Sequence, residues 1–130
     1  MRPYPCHTPP RGFTLIELLV VLAIVSTLLL LVVPRYFSKV DESKEAVLRD
    51  NLRVVRDTLD RFYGDQGRYP DTLEELVEKK YLRALPNDPI NESSTTWRLL
   101  PVPDGYKGAV YDLRSGAPGV GRDGRNYADW

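Results

Sequence analysis

An α+β fold is predicted: a long N-terminal helix, half of it membrane-spanning and half amphipathic, packed on a small antiparallel sheet. Three observations predict it. The 21 residues Phe13–Val33 are apolar with one ionisable side chain, Glu17. A charged segment follows in which apolar residues recur at helical spacing. Two short β-like stretches then come, separated by proline and glycine. The averages conceal this division. The 130 residues carry 18 basic and 18 acidic side chains, a net charge of zero.

That neutrality removes the electrostatic reason to expect nucleic-acid binding, which shows as a basic excess. Cys6 is the one cysteine and cannot close an intrachain disulfide. His7 is the one histidine, which leaves few ligands for a catalytic zinc. Both lie in the opening MRPYPCHTPPRG, where four prolines forbid a stable helix. No apolar stretch precedes Cys6, which argues against lipid attachment there.

The apolar run comes next and is long enough to cross roughly 30 Å of hydrocarbon as a helix. A secretory signal peptide has a shorter apolar region and ends in a small-x-small cleavage site, which VVPRYF does not offer. An ordinary signal anchor, with Arg2 and Arg11 held inside, explains the length but not Glu17. A carboxylate near the end of a membrane helix costs on the order of 2–3 kcal/mol and normally has a partner. No cation lies within one turn on its C-terminal side. A cut after Gly12 would give Phe13 a new α-amino group, four residues from Glu17. That amine, in the same chain or a neighbouring one, would neutralise the carboxylate in a low dielectric. The residues thus point to cleavage at Gly12 and to a pairing that rewards assembly.

Arg11-Gly12-Phe13-Thr14-Leu15-Ile16-Glu17-Leu18 resembles the class III signal of the type IV pilin-like family, which includes the pseudopilins of type II secretion. The resemblance implies several expectations. A membrane prepilin peptidase cuts between Gly12 and Phe13 and methylates the Phe13 amine. Glu17 pairs with the N-terminus of the adjacent subunit in a filament. Pro34 corresponds to the family's helix-kinking proline. Ser26-Thr27 departs mildly from the small residues common there, because both hydroxyls can bond a carbonyl one turn back. Three parts follow: a leader 1–12, a transmembrane assembly helix 13–34, and a soluble head 35–130. Losing the leader removes Cys6, His7 and two of the 18 basic residues, so the side-chain charge of the mature chain is −2.

The head begins with DESKEAVLRDNLRVVRDTLDRFY, residues 41–63. Apolar residues fall at Val47, Leu48, Leu52, Val55, Leu59 and Phe62, and from Leu48 their steps of 4, 3, 4 and 3 make one stripe on a helix. Asp50, Arg53, Asp57, Asp60 and Arg61 form a solvated opposite face, or contacts to a neighbouring subunit in a filament. The helix is expected to end near Gly64, before the turn cluster DQGRYP. Pro34 need not break it but should bend or loosen it. A second, short helix is expected over Pro70–Glu78, with Thr72 and Glu75 as a capping box. Asn87–Asn91 reads as a turn. Thr95–Leu100 and Tyr106–Leu113 read as strands joined by PVPDG. Arg114–Trp130 is glycine-rich and expected to be mostly loop, anchored by Tyr127 and Trp130. One helix across one small sheet is an α+β solution, and about 95 residues suffice for one modest core.

The similarity continues through Tyr63-Gly64-Asp65-Gln66-Gly67-Arg68-Tyr69-Pro70, Tyr81-Leu82 and Leu85-Pro86-Asn87-Asp88-Pro89, which resemble the major pseudopilins of type II secretion. The cysteine-free mature chain fits them as well, since many true pilins carry a C-terminal disulfide. The resemblance implies a homopolymer in a short filament. Its further partners would be minor pseudopilins, the prepilin peptidase and the inner-membrane assembly platform. The helix would lie in the bacterial inner membrane, single-pass, with the head in the periplasm. It also implies calcium in the C-terminal loop. Asp112, Asp123, Asn126 and Asp129 are the candidate ligands, although Arg122 and Arg125 crowd them and Pro118 replaces the first acid. The alternative there is a plain Asp123-Gly124 turn and an exposed Asp129.

An enzyme is not expected. The mature chain has no His or Cys, no glycine-rich phosphate loop after a strand, and no nucleophile elbow. The competing function is that of a type IV pilin or minor pilin for adhesion, motility or DNA uptake. The mature charge of −2 does not favour the last of these.

Overall fold

The computed structural model describes Met1 and residues 9–130. The expectations attached to Arg2, Cys6 and His7 lie outside the described residues. In chain order come α1 (Leu15–Gln66), α2 (Leu73–Glu78), β1 (Arg98–Leu100), β2 (Asp112–Arg114) and a 3-10 turn (Tyr127–Asp129). The chain divides into two compact units, Met1–Ser38 and Lys39–Trp130, with α1 contributing to both.

In the first unit, α1 is assigned as helix straight through Pro34. The proline lacks an N–H, so the Leu30 carbonyl loses its usual intrahelical donor there. Thr27 donates its hydroxyl to the Ala23 carbonyl at 2.9 Å, the back-bond expected from its sequence position. An 18-residue window of this helix has a mean hydropathy of 3.0 and no buried residue.

In the second unit, α1 carries the stripe Leu48, Leu52, Val55, Leu59 and Phe62, all buried. Val47, outside that stripe, is 49% exposed. It falls one position off the 4-3-4-3 spacing and so faces away from the core. Glu45 and Thr58 are buried instead. The stripe packs with Leu73 and Leu76 of α2 and with Trp97, Val110, Leu113 and Trp130. Each large apolar side chain so buried contributes roughly 1.5–3 kcal/mol. Asp50, Arg53, Asp57, Asp60 and Arg61 are exposed, as the periodicity required.

α1 ends at Gln66 rather than near Gly64. The stop residue is Gly67, at φ +67°, whose N–H donates to the Tyr63 carbonyl at 2.8 Å. A left-handed glycine closes the helix without the Cβ penalty, whereas Gly64 is tolerated inside it. α2 starts at Leu73, three residues later than expected. Thr72 caps it by accepting from the Glu75 N–H at 3.3 Å. The return arm of the box goes to Asp71, whose N–H donates to Glu75 at 2.8 Å. Glu75 also takes the Arg68 guanidinium, and this hydrogen bond lowers its pKa to about 2.

The two strands pair antiparallel, with Leu99 opposite Leu113. Both are shorter than the sequence suggested. Pro101 and Pro103 lack ladder donors and end β1. The expected first half of the second strand serves another purpose. Ala109 and Val110 donate to the Pro70 carbonyl, and Lys107 accepts from Tyr69. These bonds tie the chain before α2 to the sheet end. Trp97, also outside the ladder, donates its indole N–H to the Pro86 carbonyl at 3.0 Å. The Asn87–Asn91 turn is held by buried Asp88, which accepts from the Ile90 and Asn91 N–H groups and from the Ser115 hydroxyl.

Candidate functional site: the N-terminal assembly segment

Gly12 and Phe13 precede the helix and are exposed, Phe13 at 89%. The bond between them therefore lies in irregular backbone, two residues ahead of α1. Proteases require such backbone, because a helix withholds its peptide groups from an active site. The helix start is capped from within. Thr14 Oγ1 accepts from the Glu17 N–H at 3.2 Å, and Glu17 Oε2 accepts from the Thr14 N–H at 3.4 Å.

This reciprocal pair is a capping box, so Glu17 has a backbone donor although no cation lies near it in sequence. The carboxylate has a backbone donor already, at a helix N-terminus whose dipole favours negative charge. The signal is legible in the sequence as Thr14-x-x-Glu17 before an apolar run. The box bonds Glu17 to the N–H of Thr14, the residue after Phe13, whose own nitrogen cleavage would convert to an amine. Beyond it, the side chains from Leu15 to Val33 are all exposed. They form a continuous apolar surface that nothing among the described residues covers, suited to lipid or to like helices. Pro34 lies within α1 at the end of that surface.

The candidate calcium ligands do not converge. Asp112 accepts from Arg56 Nε at 2.8 Å and from the Leu113 N–H at 2.7 Å. Asp123 is engaged by Arg49 and Arg125. Its pKa is lowered first by the Arg125 backbone N–H, then by the Arg125 guanidinium. Asp129 lies 3.9 Å from Arg114. Asn126 precedes the 3-10 turn and makes no side-chain cap bond. Among the described residues, no three His, Cys, Asp or Glu side chains are placed to hold one ion. The donor set therefore does not fit calcium, which wants six to eight oxygens, several of them anionic.

Buried Glu45 was missed from the sequence because charge on a helix reads as solvated. Its carboxylate accepts from the Arg122 N–H and the Tyr127 hydroxyl, each at 3.0 Å. Burial first, and then Glu45, pushes the Tyr127 hydroxyl pKa up.

Residues 9–33 match the family model described as the prokaryotic N-terminal methylation motif. The chain is 37% identical over 94 residues to type II secretion system core protein G of Pseudomonas aeruginosa, covering 60% of this chain and 66% of that protein. It is 30% identical over 136 aligned positions to the core protein G of Klebsiella pneumoniae, covering 92% of this chain and 94% of that protein. It is also 33% identical over 66 residues to the type IV major pilin protein PilA of Myxococcus xanthus, covering 51% of this chain and 30% of the pilin. No solved structure matches the chain. With the methylation motif laid over a capped, uncovered apolar helix, and likeness to core protein G along nearly the full length, the chain belongs to the family of type II secretion core protein G, the major pseudopilins.

Proposed function

We propose that the chain is a structural subunit of a type II secretion pseudopilus. It is made as a precursor held in the bacterial inner membrane by residues 13–34, with its head, 35–130, in the periplasm. A prepilin peptidase cuts between Gly12 and Phe13 and methylates the new amine. The mature subunit then polymerises with itself, alongside minor pseudopilins and on an inner-membrane assembly platform, into a filament that helps export folded proteins. Burial of the uncovered apolar surface drives assembly, and Glu17 paired with a neighbour's N-terminus sets axial register.

The observation that carries this reading is the placement of an exposed Gly12–Phe13 bond two residues ahead of an apolar helix capped by Glu17. Mass spectrometry of chain co-expressed with a prepilin peptidase is expected to show a polypeptide beginning at methylated Phe13. An uncut chain would overturn the reading. Glu17→Ala is expected to be cut but to lose filament assembly at least tenfold. Normal assembly of that variant would remove the register role.

The likeness to the Myxococcus pilin favours a second reading, a type IV pilin for adhesion, motility or DNA uptake. Neighbouring genes separate the two. A secretion ATPase, a secretin and further pseudopilins support the first, and a retraction ATPase supports the second.

A further inference from the structure

The loop that the family resemblance assigns to calcium is closed here by the chain's own groups. Gly121 donates to the Arg125 carbonyl at 2.8 Å, and Gly124 donates to the Gly121 carbonyl at 3.0 Å. Val120 and Asn126 form an antiparallel bridge across its base. Asp123 sits at the tip, and both of its oxygens are occupied. Oδ1 accepts from the Arg125 N–H at 3.0 Å. Oδ2 accepts from Arg125 Nε and Nη2 at 3.0 and 2.8 Å, and from Arg49 Nη2 of α1 at 3.2 Å.

The same two guanidinium groups lie over the Trp130 ring, at 4.3 Å for Arg49 and 5.9 Å for Arg125. Trp130 in turn packs against Gly121, where an added Cβ would meet its ring at 2.4 Å. Arg56 donates to the Trp130 and Leu113 carbonyls at 3.0 and 3.1 Å. Carbonyl and carboxylate oxygens are thus taken by arginine donors where calcium would need them free. Two fixed positive charges beside Asp123 would also repel a dication.

We propose that Arg49 and Arg125 replace a metal ion in closing the Val120–Asn126 loop onto α1, so that the C-terminal segment folds and stays folded without calcium. Each arginine bridges Asp123 and the Trp130 face, which links loop, helix and chain end as one bound cation would. Planar guanidinium suits this double task, because it pairs with a carboxylate through its edge and stacks on an aromatic ring through its face. The inference holds whichever filament the subunit enters, and its failure would leave cleavage at Gly12 untouched.

The test is thermal melting of the full chain in detergent micelles, followed by tryptophan fluorescence. The midpoint is expected to be the same in millimolar calcium and in excess chelator. Arg125→Met, which keeps the stem but not the charge, is expected to melt about 2–6 °C lower in both conditions. Asp123→Asn, which keeps the acceptor for the Arg125 N–H, is expected to fall by a similar amount. A midpoint that rises with calcium overturns the proposal. So does an Arg125→Met chain that melts with the parent.

Discussion

The two units of this molecule obey different solvents. From Leu15 to Val33 the helix is apolar on every side and its side chains are exposed among the described residues. From Lys39 onward the same helix is apolar on one stripe only, and that stripe is buried to within a few percent. Backbone geometry is the same in both stretches. The difference lies in what each surface is matched to. An all-round apolar helix is a solution for hydrocarbon or for a bundle of like helices. A single stripe is a solution for water on one side and a private core on the other. The change falls within a few residues after Pro34, where charged residues begin.

Substitutions should therefore separate by unit. The largest effect on folding is expected from Phe62→Ala, which empties the centre of the head. The loss should be about 3–5 kcal/mol in chemical denaturation of the full chain in micelles. A loss below about 1 kcal/mol would show that the stripe does not carry the head.

A smaller effect is expected from Glu75→Gln. The Arg68 guanidinium holds the Glu75 carboxyl near pKa 2 in the folded chain, below its ordinary 4.5. A depressed carboxylate contributes stability above its unfolded pKa and loses it as pH falls through its folded one. Stability of the parent should thus decline between about pH 4.5 and pH 2, and the variant should show a flatter decline in melts taken across that window. An identical acid profile would place the pH dependence elsewhere.

The smallest effect on the head is expected from Leu28→Ala in the exposed apolar stretch. Its unfolding free energy should match the parent within about 0.5 kcal/mol, because Leu28 is 57% exposed and lies outside the buried core of the head. A larger shift would mean that the apolar stretch supports the head, and the contrast between the units would fail.

Much of this was legible because it is local. The apolar run, the Leu48–Phe62 stripe and the Thr72 cap each depend on residues within a turn or two. The Thr14–Glu17 box is likewise written in the spacing. The surroundings of the candidate calcium ligands were not legible, for the opposite reason. Asp112, Asp123 and Asp129 are close in sequence, but each is claimed by an arginine, and two of those arginines, Arg49 and Arg56, come from a helix more than fifty residues away.

The sequence by itself determined the helix, its change of character after Pro34, and the Gly12–Phe13 signal with its acid, since periodicity, hydropathy and spacing are properties of neighbouring residues. Tertiary structure alone decided which charges are buried. Glu45 beneath Tyr127 and Asp88 against Ser115 are indistinguishable from solvated charges in the chain. A buried charge is tolerated only where distant segments deliver its donors, and that delivery depends on long-range packing that no local pattern encodes.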